Sequence, residues 1–396
     1  MKNILVLGAG YASLSFLKKI NPKIFDFAQV TLISKYDYHY VSIALHDVVA
    51  GMVEDNSVKF PIKDIIPGSV HFVQDEVVEI QEKQVICKKQ EYVYDYLIVG
   101  LGFQSDDFGI SGVKEYCTPI LDFANAFLLR DQILEQIYQY KTTGDMNNLK
   151  FVVCGGGLSG VEMISSLAIK LKKVCAQEGI DFGLLDLYCI EAMPNILPMF
   201  PDTLSMKAQV FLESHNVKVL TKCKILRCEK NKIIVENSTS EERSIEANTI
   251  IWTAGVRGNA VIEKSNLFNS VRSRVEVNDY LQPIAQDHQE LMDKIYVIGD
   301  CCMVKNTKTN TFYPPTAQIA IKQGEYLGKA LSDRLMGIYV EKFSFTPQGV
   351  ICSLGDKFAV GLIKDREISG VVASTLKKAI EKKWIIKLFG LKGLFK

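Results

Sequence analysis

The sequence predicts an α/β fold, and two observations carry that expectation. The first is a pair of short apolar strands that each run into a glycine-rich turn and a helix. They are Ile4-Leu-Val-Leu-Gly8-Ala-Gly10-Tyr-Ala-Ser13 and Phe151-Val-Val-Cys-Gly155-Gly-Gly157-Leu-Ser-Gly160-Val-Glu162. The second is their separation, about one domain length. Each turn has the strand–loop–helix order of a Rossmann-like unit, so two Rossmann-like dinucleotide-binding domains are expected. A C-terminal amphipathic module is expected to follow them.

The elements follow in order. Residues 3–7 are an apolar strand, and Leu14, Leu17 and Ile20 recur at helical spacing after it. Val30-Thr-Leu-Ile33 is β-branched and apolar, as a buried parallel strand is. Residues 56–70, with Pro61, Pro67 and Gly68, read as a connector. Short strands are expected at 70–73 and 77–78, then one running from Tyr92 into Gly100 and Gly102. Residues 103–118 read as irregular and 122–140 as a helix with Phe123, Phe127, Leu134 and Ile137 among its apolar positions. The β–loop–α–β pattern returns over 150–191. Strands alternate over 217–250, with polar turns near Asn231 and 237–244. Two further strands end in glycine, at Thr253-Ala-Gly255 and Ile298-Gly299-Asp300. Pro314-Pro315 are expected to open a helix through Leu335 in its first turn, and 343–362 read as strands.

Bulk properties limit the partners. The chain has 396 residues and a net charge of +1, so no global attraction to nucleic acid is implied. Ten cysteines occur without C-x-x-C spacing, and no signal segment is seen at the N-terminus. A secreted disulfide scaffold and a zinc site are therefore not expected, and Cys301-Cys302 read as buried thiols in a reducing compartment. No apolar run reaches membrane-spanning length, so any membrane contact is expected to be peripheral.

The glycine loops suit dinucleotides for physical reasons. Gly8 turns the chain off its strand, Gly10 admits the pyrophosphate, and the helix N-terminus supplies amide donors. The third position is Ser13, small enough for the helix to stay close to the strand. Ser34-Lys35 stands where an acid commonly takes the adenosine ribose, so a hydroxyl replaces a carboxylate there. The second loop keeps Gly155, Gly157 and Gly160, and its second strand ends in Glu191. A carboxylate at that point accepts from the 2′-hydroxyl of NADH and repels the 2′-phosphate of NADPH. Glu162, two residues past the last glycine, either complements the helix dipole or faces the reacting rings.

Five more stretches make the pattern specific. Thr253-Ala-Gly255-Val256 and Tyr296-Val-Ile-Gly299-Asp300 are similar to the later fingerprints of two-dinucleotide flavoproteins. Glu191-Ala-Met-Pro194-Asn-Ile-Leu-Pro198 and Pro314-Pro-Thr-Ala317-Gln318-Ile-Ala320, with Tyr36-Asp-Tyr38-His39-Tyr40, resemble type II NADH dehydrogenases. These are non-pumping NADH:quinone oxidoreductases, and the resemblance covers nearly the whole chain. It implies FAD as the cofactor and NADH as the substrate. NADH reduces the flavin from one face and a quinone takes the electrons on the other. It implies an FAD site at Gly8, Gly10, Ser13, Ser34, Lys35, Gly102, Asp300 and Ala317. It implies an NADH site at Gly155, Gly157, Gly160, Glu191 and Gly255. Asp300 would bond the ribityl–phosphate part of FAD, and Glu162 and Gln318 would be the catalytic side chains. The family motif A-Q-x-A-x-Q lines the quinone pocket: Ala317, Gln318 and Ala320 match it, but Lys322 replaces the last glutamine. Gln323 is one residue on and should face elsewhere.

The C-terminal stretch has apolar residues at 380, 384, 388, 391 and 395, with lysines opposite and Trp384 near an interface position. Such a helix lies in the headgroup plane. The family resemblance implies the same anchor at 375–396, on the cytoplasmic face of the cell membrane, and a homodimer. The expected division is FAD domain 1–115 and 250–335, NADH domain 116–249, and membrane module 336–396. The alternatives are a sulfide:quinone oxidoreductase, for which Cys154 and Cys352 would be the thiols, and an FAD/NADH-binding interaction protein without turnover. Cys223 and Cys228 have dithiol-reductase spacing but lie far from the first glycine loop.

Overall fold

The computed structural model describes residues 1–54, 57–284, 289–390 and 393. The chain forms two compact units. The first comprises 1–40, 59–104 and 256–347, and the second comprises 41–58, 105–255 and 348–396. The sequence boundaries differ from these. Residues 41–58 join the second unit, the crossings lie at 104/105 and 255/256, and 348–396 belong to the second unit rather than to a module of their own.

The first unit is built on a parallel five-stranded sheet. Its order is Ile295–Val297, Tyr96–Val99, Lys2–Leu7, Ala28–Ser34, His71–Gln74. Ile4, Val6, Leu7, Leu32 and Ile33 are fully buried, which explains their continuous apolar runs. The helix Tyr11–Lys19 packs on Ala317–Leu335. Gly324 and Gly328 permit that approach: a Cβ at 324 would collide with the Ala12 carbonyl oxygen and sit 2.8 Å from Ser15 Cβ.

The expected single strand over 92–102 is two strands. Glu91–Val93 joins an antiparallel sheet with Val77–Ile80 and Gln84–Cys87, and Tyr96–Val99 joins the parallel one. Asp95 makes the break by tying itself to the first strand. Its amide donates to Asn3 O at 2.8 Å, and its carboxylate accepts from Asn3 N–H at 2.7 Å. The expected connector 56–70 contains a strand, Lys59–Pro61, paired with Tyr38–Tyr40. Pro314-Pro315 lie outside their helix. Thr316 is the N-cap, its side chain accepting from Ile319 N–H at 3.4 Å, so the prolines precede the first turn.

The second unit repeats the plan. Its parallel sheet runs Thr118–Pro119, Thr249–Trp252, Lys150–Cys154, Asp186–Ile190, Val217–Leu220. In both sheets the middle strand leads into the glycine turn. The helix Phe123–Thr143 starts at Asp122, whose carboxylate caps Asn125 N–H, and buries Phe123, Leu129, Ile133 and Ile137. Phe127 and Leu134 are half-buried. Gly349–Leu354, Phe358–Ile363 and Arg366–Ser369 form an antiparallel sheet covered by the helix Val371–Phe389.

That last helix departs from the expected face. Trp384 is 4% exposed and Leu388 1%, so neither is at an interface position. Small Ala373, packed with Ile351 and Ala359, lets the helix sit close to the sheet. The exposed apolar row is instead Val372, Leu376 and Ile380, with Val371 beside it. Leu391 and Phe395 of the expected face lie outside the described residues.

Candidate functional site

Each unit presents a glycine cradle at the C-terminal end of its middle strand. In the first, Gly8 has φ +86°, and a Cβ there would collide with the Gly100 carbonyl oxygen. Open space lies in front of Gly10 and Gly102. Ser13 at the third position is accommodated by Gly100, where any Cβ would collide with Ser13 Oγ. The hydroxyls of Ser13 and Ser15 are buried without a hydrogen-bond partner among the described residues. Behind the loop, buried His39 touches the Ala9 carbonyl through Nδ1 at 2.9 Å. A carbonyl only accepts, so Nδ1 carries the proton. Burial pushes the His39 pKa down to about 4, so the ring is neutral at neutral pH.

Asp300 lies on the neighbouring turn. Gly299 N–H donates to Gln323 Oε1 at 2.7 Å, and Cys301 S–H donates to Gly102 O at 3.0 Å. Burial raises the Asp300 pKa, against the opposing pull of the Arg274 charge. Burial also pushes the Cys301 thiol up to about 12 and the Cys302 thiol higher, so both stay protonated. The set is an open glycine turn, the orphaned Ser13 hydroxyl behind it, and an acid whose carboxylate takes no hydrogen bond from the described residues. It fits a pyrophosphate–ribityl chain. Ser34 is buried at the end of its strand; Lys35 is exposed and pairs with Glu76 at 3.5 Å.

In the second unit the loop is closed more tightly. Gly155 has φ +104° and lies against Ala254; a Cβ on Gly160 would collide with the Gly155 carbonyl oxygen and come within 2.7 Å of Thr253 Oγ1. Gly157 faces open space. Thr253 latches the turn by donating to Cys154 O at 2.7 Å. Glu191 is held ready: Gly156 N–H donates to one carboxylate oxygen at 2.7 Å and Met193 N–H to the other at 2.8 Å. Each oxygen keeps a lone pair for a ribose hydroxyl. Phe108 covers Gly255, where a Cβ would collide with its ring.

Glu162 does not point into open solvent. It is 7% exposed, and Oε1 accepts from Ser353 N–H at 3.0 Å, Ser353 Oγ at 2.9 Å and Lys377 Nζ at 2.9 Å. His46 Nδ1 stands 3.8 Å from Oε2, and its Nε2 is 3.5 Å from Asp47 Oδ2. Ser166 Oγ donates to Asp47 at 3.0 Å, and Glu381 stands 4.0 Å from Lys377. Burial alone would raise the Glu162 pKa, but Lys377, His46 and the Ser353 amide outweigh it and hold the carboxyl below its usual range. Burial would lower Lys377, yet Glu162 and Glu381 raise it. The pair is therefore ionised. Lys377 is turned inward onto Glu162 rather than lying on an outer basic face with the other lysines of its helix.

Of the quinone candidates, Ala317 and Gln318 open the helix Ala317–Leu335 half-buried, while Lys322 is exposed and pairs with Glu325 at 3.0 Å. Gln323 does face elsewhere, onto Gly299. Sequence reasoning missed Lys377, Ser353, His46 and Arg274. No local signal marks them, since Lys377 meets Glu162 across 215 residues of chain.

The chain matches the family model described as pyridine nucleotide-disulphide oxidoreductase over residues 2–324. It is 35% identical to the type II NADH:quinone oxidoreductase of Staphylococcus epidermidis, covering 100% of this chain and 98% of the relative. It is 34% identical to that of Staphylococcus aureus strain MSSA476 over the same shares. Among solved structures, NDH2 from Plasmodium falciparum in complex with NADH superposes with a TM-score of 0.89. The two are 20% identical, and the match covers 100% of this chain and 96% of that one. The sulfide:quinone oxidoreductase of Aquifex aeolicus gives 0.77 at 18% identity, over 99% and 92%. At these identities the two structures speak for the fold.

Proposed function

The chain belongs to the pyridine nucleotide-disulphide oxidoreductase family and, within it, to the type II NADH:quinone oxidoreductases, and from that premise we propose that it passes two electrons from NADH through FAD to a quinone without pumping protons. The observation that carries this is the duplicated cradle: two parallel sheets of the same plan, each with its middle strand ending in a glycine turn. FAD, when bound, supplies the redox chemistry, taking hydride equivalents from NADH and yielding electrons to the quinone.

The protein binds and orients. Gly8, Gly10, Ser13 and Asp300 would hold FAD, with Gly102, Ala317, Ser34 and Lys35 at its edges. Gly155, Gly157, Gly160, Glu191 and Gly255 would hold NADH, Glu191 selecting against a 2′-phosphate. Glu162, two residues past the NADH loop, forms a buried ion pair with Lys377, and that pair would position the nicotinamide or relay a proton. Gln318 and Ala317 would meet the quinone. Lys322, exposed and paired with Glu325, would leave that surface pair to orient a quinone carbonyl.

The test is anaerobic mixing with NADH, followed by a soluble quinone. The flavin should bleach and then recover; bleaching by sulfide but not NADH would overturn the reading. Cys154 and Cys352 give little support to sulfide chemistry, since both are fully buried and burial pushes their thiols up. Binding of NADH without turnover would favour the interaction-protein alternative.

No described helix is long and apolar enough to cross a membrane. We propose peripheral attachment at the cytoplasmic face of the cell membrane through Val371, Val372, Leu376 and Ile380, with Lys378, Lys382 and Lys383 beside them. A homodimer is proposed from the family resemblance alone. Liposome flotation tests the anchor: Val372→Asp with Ile380→Asp should stay in the soluble fraction, and equal flotation would sink the idea.

A further inference from the structure

Arg274 is half-buried at the start of the strand Arg274–Glu276, which runs parallel to Cys302–Met303 with Val275 opposite Cys302. That register sets the guanidinium beside the Gly299-Asp300 turn. Its Nε donates to Asp300 O at 3.1 Å and its Nη2 to Cys302 O at 2.8 Å. Among the described residues no carboxylate lies within ion-pair distance of it. A cation has thus been taken out of water to face backbone carbonyls, which is costly unless further negative charge completes it. The acid whose charge acts on it is Asp300, whose carboxylate is also without a hydrogen bond among the described residues. Arg272 adds a second positive charge nearby, and Cys301 and Cys302 are protonated thiols.

We propose that Arg274 is a positioning residue for the flavin site: its guanidinium straps the backbone on both sides of Cys301, and its charge acts on the Asp300 carboxylate from beyond ion-pair distance. This rests on the reading of the first unit as the FAD cradle. The strap fixes the direction of Asp300, and the charge keeps that acid ionised as an acceptor. Arginine suits the task because its fork reaches two carbonyls at once, whereas a lysine is a single point of charge. Burial lifts the Asp300 pKa, and Arg274 opposes that lift. Without Arg274 the acid would hold its proton to higher pH.

The experiment strips FAD from the wild type, Arg274→Met and Arg274→Lys, and titrates each apoprotein with FAD across a range of pH. Arg274→Met should bind FAD about tenfold more weakly at neutral pH. The pH below which its affinity falls should move upward. Arg274→Lys should restore most of the pH profile but not the full affinity, since charge returns and the strap does not. The flavin midpoint potential should shift in Arg274→Met and recover partly in Arg274→Lys. Identical affinity, pH profile and potential in Arg274→Met would overturn the proposal. Should that variant fail to fold, the comparison of wild type with Arg274→Lys decides: an unchanged affinity overturns it. A wild-type apoprotein that takes up no FAD would instead overturn the FAD reading itself.

Discussion

The two glycine-loop helices start alike and then spend the same position differently. Ser15 in the first unit corresponds to Glu162 in the second, two residues past the third loop position. In the first, that face is given to backbone packing: Gly324 lies so close that a Cβ on it would sit 2.8 Å from Ser15 Cβ. In the second, it is given to charge: Glu162 reaches Ser353 and Lys377. The third position reverses the pattern. Gly160 is pressed against the Gly155 carbonyl, while Ser13 has room because Gly100 supplies it. One fold plan thus tolerates a serine or demands a glycine according to what the neighbouring strand carries. A consensus motif written across both loops misses this.

The largest expected effect comes from breaking the charged version. Lys377→Met leaves Glu162 buried without its main cation and should cost about 3–5 kcal/mol of stability at neutral pH, read as a fall in Tm. Glu162→Gln combined with Lys377→Met should recover most of that. The sign with pH follows from the lowered Glu162 pKa. The pair's contribution is fully present above the unfolded carboxyl value and is lost as pH falls through the folded one. Wild type and Lys377→Met should therefore converge in Tm as the solution is acidified; a constant gap would remove the ion pair from the account.

Next is the demand for glycine. Gly160→Ala should abolish NADH-dependent bleaching while the protein keeps its flavin, measured by absorbance before and after NADH. Gly100→Ala should do the opposite and lower flavin content, because the new methyl meets Ser13 Oγ. Adding Ser13→Gly to it should restore flavin; failure to do so would mean that Gly100 serves something other than Ser13. A smaller effect is expected at the strand ends. Glu191→Ala should raise KM for NADH by about tenfold and narrow the preference over NADPH. Smallest of all, Ser13→Gly alone should change stability by no more than about 1 kcal/mol, the usual cost of glycine in a helix.

Much of this was legible in the sequence, because strands buried on both faces leave unbroken apolar runs. The glycine loops, the strands before them and the helix 122–140 follow from such runs and from Asp122 as a cap. What escaped was what depends on distant partners. The break at Asp95 is made by Asn3, and the inward turn of Lys377 by Glu162. Trp384 is buried while Val372, Leu376 and Ile380 are exposed, so spacing alone assigned the apolar face to the wrong side of that helix. The prolines at 314–315 fit a helix start, and only the Thr316 cap moves that start beyond them.

The contact between Glu162 and Lys377 has a consequence for how the chain is made. Synthesis runs from the N-terminus, and the lysine comes 215 residues after its acid. Over that interval the strand, loop and helix of the second cradle can form, yet Glu162 lacks Ser353 for the first 191 residues and Lys377 for all 215. An ionised acid cannot be closed into an apolar interior alone, so this end of the helix stays open or holds its carboxyl protonated until the last segment arrives. The C-terminal helix is then a completion step. A chain cut short before Lys377 is expected to fail at the second glycine loop, far in sequence from where it was cut.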